Sequence, residues 1–186
     1  DVILEDGWRD ATDPITGLGM GATAERLARE QGVSRADQDA FALESHRRAL
    51  AARERGDWDA EIVPVDLPAD GDRPAVRLAA DECPRADTSA DRLAALPPVF
   101  ADDGSVTAGN SSAMADGAAA LVLTTRSRAR ELGREPLFAL VSFAQGAVPG
   151  AEMWRGPTLS LPRALERAGL ALGDLDLVEV NEAFAV

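Results

Sequence analysis

The sequence contains no lysine and no tyrosine, one cysteine and one histidine, and aromatic residues fill only 4% of its 186 positions. A lone cysteine, Cys83, excludes an internal disulfide, and a lone histidine, His46, leaves no Cys/His cluster for a metal. Apolar runs such as Ala118 to Leu123 fall far short of the roughly 20 residues that span a bilayer, so no membrane segment is expected. A basic stripe is absent too. The 19 cationic residues are all arginine and lie dispersed among 32 acids, and the net charge of −13 repels phosphate backbones. Nucleic acid is therefore not an expected partner, whereas a small phosphorylated ligand needs only one or two local arginines. The first ten residues lack the basic start and apolar core of a signal peptide, and an intracellular, cytoplasmic setting is expected. With no initiator Met, and with Val186 following closely on an apolar run, the chain is expected to be an internal piece of a longer protein.

What is present is a globular composition, 46% hydrophobic and 27% charged, enough for a core in one domain or in parts of two. Residues 1 to 22 read as a turn-rich entry, with Asp13-Pro14 and three glycines between Gly17 and Gly21. A short helix is predicted over Ala24 to Gln31, capped by Thr23 and ended by Gly32. The clearest element is a longer helix: Ser34 and Asp37 form a capping pair, Ala36, Ala40, Leu43 and Leu50 share a face, and Gly56 stops it. Two strands follow, Glu61 to Leu67 and Ala75 to Ala79, about a turn at Ala69 to Asp72; then comes a helix over Thr88 to Leu96. From Gly109 the pattern alternates. Ala118 to Thr124, Leu137 to Phe143 and Leu175 to Val180 read as buried strands, with helices over Arg126 to Leu132 and Leu159 to Ala168. Alternation of this kind argues for an α/β layer, with a domain boundary near residue 105.

Two segments carry polar groups where a ligand could use them. Thr107-Ala108-Gly109-Asn110-Ser111-Ser112 is a run of small residues that lets a ligand approach the backbone, and it also reads as a simple polar turn. Asn181-Glu182 follows an apolar strand, the end at which α/β sheets bind ligands, and Asn181 could donate to a developing oxyanion directly or through a water. The same pair could equally cap and open a helix. Cys83, with Asp81 and Glu82 close before it, is not read as a nucleophile. His46, away from the Leu43/Leu50 face, is read as a solvated helix residue.

In order, these segments resemble the thiolase family. Ser34 to Ala42 is similar to its SRxxQDxFA helix start, Glu61 to Val65 to its EIVPV strand, Gly104 to Ser112 with Asp116 to Ala120 to its TAGN…DGAAA signature, and Asn181 to Ala185 to its NEAFA motif. The resemblance implies a layered αβαβα fold, only partly present, with a mixed α+β loop domain. Residues 1–104 would be most of that coenzyme-A cover, and residues 105–186 the beginning of the C-terminal half. It implies an acyltransferase that makes or thiolytically cleaves 3-ketoacyl-CoA, with coenzyme A and acyl-CoA as substrates, no further cofactor and no metal. Neither Cys83 nor His46 matches the family's two cysteines or its GHP histidine, so the chain alone is expected to be inactive. A non-catalytic acyl-CoA-binding or partner subunit with the same fold is the alternative.

Supporting residues do carry over. Asn181 matches the asparagine that orients a water in an oxyanion hole. Gly109 and Ser112 match the loop on the pantetheine arm, and Met20, Met153, Ala183 and Phe184 match the lining of that arm's apolar channel. Arg85 matches a position near the nucleotide end of coenzyme A. The resemblance further implies a homo-oligomer, dimer or tetramer, and apolar strand faces left open after residue 117. One departure is Gly19: biosynthetic members commonly place a histidine just before the Met-Gly pair that is Met20-Gly21 here, which makes a degradative 3-ketoacyl-CoA thiolase at least as strong an expectation.

Overall fold

The computed structural model describes residues 12–186; the expectations for residues 1–11 lie outside them. The chain divides into two compact units. One takes the described residues up to Gly19 together with Asp116–Asn181, and the other takes Met20–Ala115 together with Glu182–Val186.

In the second unit, helix α1 spans Met20–Gln31 and helix α2 spans Arg35–Arg55. The first helix opens earlier than its polar residues suggest. Thr23, expected as the cap, lies inside α1 and is buried, while Gly21 lies so close to the Phe100 ring that a Cβ there would overlap it. Around α2 the sequence logic holds at both ends. The Ser34 side chain accepts from the Asp37 amide at 3.1 Å, Asp37 Oδ2 accepts from the Ser34 amide at 3.3 Å, and Gly56 ends the helix with φ 75°. Its inner face differs from the expected one: Ala36 and Ala40 are exposed, and Gln38, Asp39, Ala42 and Ala52 are buried.

A short helix, α3 (Ala90–Ala94), begins at its cap Ser89 and packs on α2. The Arg35 guanidinium secures that contact, donating to the carbonyls of Leu93 at 2.6 Å and Leu96 at 2.9 Å. A cation there suits the partial negative charge of a helix C-terminus and adds a donor to its last carbonyls. Strands β1 (Val65–Leu67) and β2 (Val76–Leu78), shorter than the two predicted, pair as an antiparallel hairpin, with Asp66 paired to Arg77 and a turn closed by Asp70 and Arg73. The core of this unit is small and partly polar, joining Ala24, Ala28, Leu93 and Val106 to Glu25, Gln38, Thr107 and Asn110.

In the other unit, α4 (Arg126–Glu131) is capped by Thr125, and α5 (Gly156–Ala168) begins three residues before the predicted Leu159, with Pro157 in its first turn. The 142–145 stretch runs beside α5. Ser142 donates to the Ala164 carbonyl, Arg167 to the Phe143 carbonyl and Arg163 to the Gln145 carbonyl. The three predicted buried strands are corrected here. Ala118 to Thr124, Leu137 to Phe143 and Leu175 to Val180 join no ladder among the described residues, and Val122 is 97% exposed. Their apolar character survives, but a strand needs a neighbour to satisfy its backbone, and no described segment pairs with them.

Candidate functional site

The site is built on the small-residue loop Gly104–Ser112, and two helices fasten it. Glu25 of α1, 2% exposed, accepts from the Ser105 amide at 2.9 Å and the Val106 amide at 2.8 Å. Gln38 of α2 donates to Ser105 Oγ at 2.9 Å. Asn110 folds back on the loop, its Oδ1 accepting from the Thr107 amide at 2.7 Å, while its Nδ2 donates to Asp39 Oδ1 at 3.0 Å and to the Ser105 carbonyl at 3.1 Å. Asp39 in turn accepts from Arg35 Nε at 2.8 Å through its other oxygen. Each buried polar group on this path has a partner except Gln38 Oε1.

The run Glu182–Ala185 lies along the same loop. The Ser112 amide donates to the Ala183 carbonyl at 3.0 Å and the Ala185 amide to the Asn110 carbonyl at 2.9 Å, an antiparallel bridge between Ser111 and Phe184. Phe184 meets Phe100 edge to face at 6.2 Å, and Glu182 accepts from Ser45 Oγ. The two motif segments found separately in the sequence are therefore one structure.

Beside the loop is a cavity of about 480 Å³, walled by α2 through Ser45 and His46, by Cys83 to Arg85, and by Gly109 to Ser112. His46 is half-buried and its Nδ1 accepts from the Arg85 amide at 3.2 Å, which fixes the 83–88 segment as a wall. Arg92 bonds the Asp87 carboxylate and holds its pKa below the usual value, chiefly through that hydrogen bond and its charge, with Arg85 adding a smaller effect. The Arg85 side chain makes no hydrogen bond or ion pair with a described residue. Such a cavity offers a guanidinium, hydroxyls and close backbone approach, which suit an elongated ligand carrying an anionic end.

Of the residues singled out from the sequence, Arg85, Gly109 and Ser112 line this cavity, and Ala183 and Phe184 lie in the strip bonded to its loop. Met20 opens α1 without lining the cavity, and Met153 and Asn181 belong to the other unit. Sequence reasoning missed Ser45 and His46. Their signal was the stripe Ala42, Ser45, Ala49 and Ala52, small residues at helical spacing that continue the buried Gln38 and Asp39. It also missed Glu25, which nothing in its local sequence distinguishes. Among the described residues no cluster of three or more His, Cys, Asp or Glu could hold a metal, and no helix is long and apolar enough to cross a membrane.

Comparison with known proteins gives the geometry a context. The thiolase N-terminal domain family matches residues 1–127 and the thiolase C-terminal domain family matches residues 134–186. Acetyl-CoA acetyltransferase of Escherichia coli is 48% identical over 185 residues, covering 100% of this chain and 46% of that protein. The peroxisomal 3-ketoacyl-CoA thiolase B of Rattus norvegicus is 48% identical over 169 residues, covering 89% of the chain and 40% of its own length. Among solved structures, the Bacillus anthracis acetyl-CoA acetyltransferase superposes with a TM-score of 0.91 at 43% identity, over 97% of this chain and 45% of that one. The human mitochondrial 3-ketoacyl-CoA thiolase gives 0.90 at 38% identity, with the same coverage. The chain thus spans less than half the length of these relatives.

Proposed function

The chain belongs to the thiolase family and carries part of its layered fold, and from that premise we propose that it serves an acetyl-CoA C-acyltransferase, condensing or thiolytically cleaving 3-ketoacyl-CoA. The observation that carries the proposal is the joining of Gly109, Ser112 and Arg85 around one cavity by the loop that pairs with Glu182–Ala185. In this reading residues 1–104 are a coenzyme-A cover and residues 105–186 begin the C-terminal half. Arg85 meets the nucleotide end of coenzyme A, Gly109 and Ser112 meet the pantetheine arm, and Met20, Ala183 and Phe184 make the apolar lining of its channel. Asn181 orients a water toward the thioester oxygen, where charge develops in the transition state. Coenzyme A and acyl-CoA are substrates, and no further cofactor is invoked. The protein is proposed to work in the cytoplasm as a dimer or tetramer.

The chain by itself is proposed to bind without turning over. Cys83 has no described base bonded to it, and His46 spends its Nδ1 on the Arg85 amide, so the pair lacks the arrangement that activates a thiol. Calorimetric titration with coenzyme A, followed by an assay with acetoacetyl-CoA plus coenzyme A, tests both halves of the reading. Saturable binding without thiolysis is the expected result. No heat of binding would remove the site assignment, and sustained thiolysis by this chain would remove the claim of inactivity.

A further inference from the structure

The loop Gly104–Ser112 has few apolar anchors, and only Val106 reaches the core as a large apolar side chain. Its shape is imposed by two buried carboxylates that come from distant helices. Glu25 receives two consecutive backbone amides and the Ser105 hydroxyl, an anion set in a nest of donors. Its side chain packs against Gly104 so closely that a Cβ at that position would overlap Glu25 Oε1. Asp39 anchors the other end, taking the Asn110 amide on one oxygen and the Arg35 guanidinium on the other. Between these anchors the loop uses its own groups: Thr107 Oγ1 accepts from the Gly109 amide and the Ser111 hydroxyl donates to the Thr107 carbonyl.

This bonding leaves a remainder. The amides of Thr107, Gly109, Asn110 and Ser112 are satisfied, whereas those of Ala108 and Ser111 make no hydrogen bond with a described residue, and both residues line the cavity. Two donors left unpaired on a fixed loop are available to a ligand, because the protein orders them beforehand and the ligand does not bear that entropic cost. Their orientation depends on where the loop is tied.

We propose that Glu25 and Asp39 are positioning residues that hold the Gly104–Ser112 loop in the shape that receives the pantetheine arm of coenzyme A. The inference rests on the coenzyme-A reading of the cavity. Neither carboxylate lines that cavity, so each acts only through the loop.

The test is calorimetry of wild type, Glu25→Gln and Asp39→Asn with two probes: coenzyme A, and adenosine 3′,5′-bisphosphate, which has the nucleotide end and no pantetheine arm. Losing one charge-assisted anchor raises the Kd for coenzyme A by about tenfold or more in either variant, while the bisphosphate binds as it does to wild type. Hydrogen exchange at the 105–112 amides quickens in parallel. Unchanged affinity for coenzyme A in both variants overturns the proposal, as does an equal loss for both probes, which would mark a merely structural role. If Glu25→Gln does not fold, Asp39→Asn decides by the same two outcomes, and loss of fold in both overturns it. A wild type that binds the bisphosphate but gains nothing from the arm defeats the coenzyme-A reading itself, before any variant is compared.

Discussion

Replacing Asn110 with alanine tests whether the loop is held by the bonds described. Asn110 is 2% exposed and Thr107 is fully buried, so water cannot easily substitute for the lost side chain. The substitution strips three hydrogen bonds: the Thr107 amide loses its acceptor, and Asp39 Oδ1 and the Ser105 carbonyl each lose a donor. A buried neutral group left without its partner costs about 1–3 kcal/mol, and Asp39 keeps Arg35 on its other oxygen. The most costly of the three is the Thr107 amide, a strong buried donor that makes no other hydrogen bond among the described residues. Allowing partial relaxation, Asn110→Ala should destabilise the unit by about 3 kcal/mol, a large share of a typical 5–15 kcal/mol total. Asn110→Asp should cost more, because it sets a second carboxylate against Asp39. Urea unfolding followed by far-UV circular dichroism measures both. A loss below about 1 kcal/mol for the alanine variant would refute the reasoning, because it would mean the Thr107 amide is satisfied some other way.

Ser34→Ala removes the cap of α2 and should cost about 1 kcal/mol by the same urea measurement; no change would mean that Asp37 caps the helix alone. Gly109→Ala would bring a Cβ to 2.6 Å from Leu93 Cδ2, and because Leu93 is only 3% exposed the repacking should cost about 1–3 kcal/mol and weaken coenzyme-A binding; an unperturbed variant would show that the leucines yield freely. Arg92→Ala should raise the Asp87 titration toward the ordinary aspartate value, read by carbon-detected NMR of the side-chain carboxyl. The sign follows from a depressed folded-state value: the pairing favours the folded state above the ordinary aspartate range, and that contribution disappears as pH falls through the lower one. Asp87 is fully solvated, so its contribution to global unfolding should be small, and an unmoved Asp87 signal would refute the assignment to Arg92.

The elements that could be read from the sequence are those whose signals are local. The Ser34–Asp37 pair and Gly56 bound α2 by chemistry within a few residues, and the hairpin follows from two β-rich runs about Asp70-Gly71. The inner face of α2 was misjudged because its contacts are polar. Gln38 and Asp39 are buried for the sake of Ser105 and Asn110, partners 67 and 71 residues away that no helical periodicity reveals. The same reason hid His46, which looks like a surface residue until Arg85 is folded against it. The three apolar runs after residue 117 failed differently. Their composition was read correctly as strand-like, but ladder formation belongs to a pair of segments and not to one.

The bridge between Ser111 and Phe184 also sets the order in which the molecule can be assembled. The residues that flank it are separated by the whole of Asp116–Asn181, a segment counted with the other unit, so the unit that holds the cavity is discontinuous along the chain. On a ribosome the loop, its carboxylate anchors and the Arg85 wall all emerge well before the strip that closes over them. Chain-closure entropy makes so distant a pairing a late event in folding, even though lengthening the intervening loop adds little to its thermodynamic cost. A ligand that touches both sides of the bridge would therefore stabilise a contact that the chain makes last, and would act on folding yield as well as on stability.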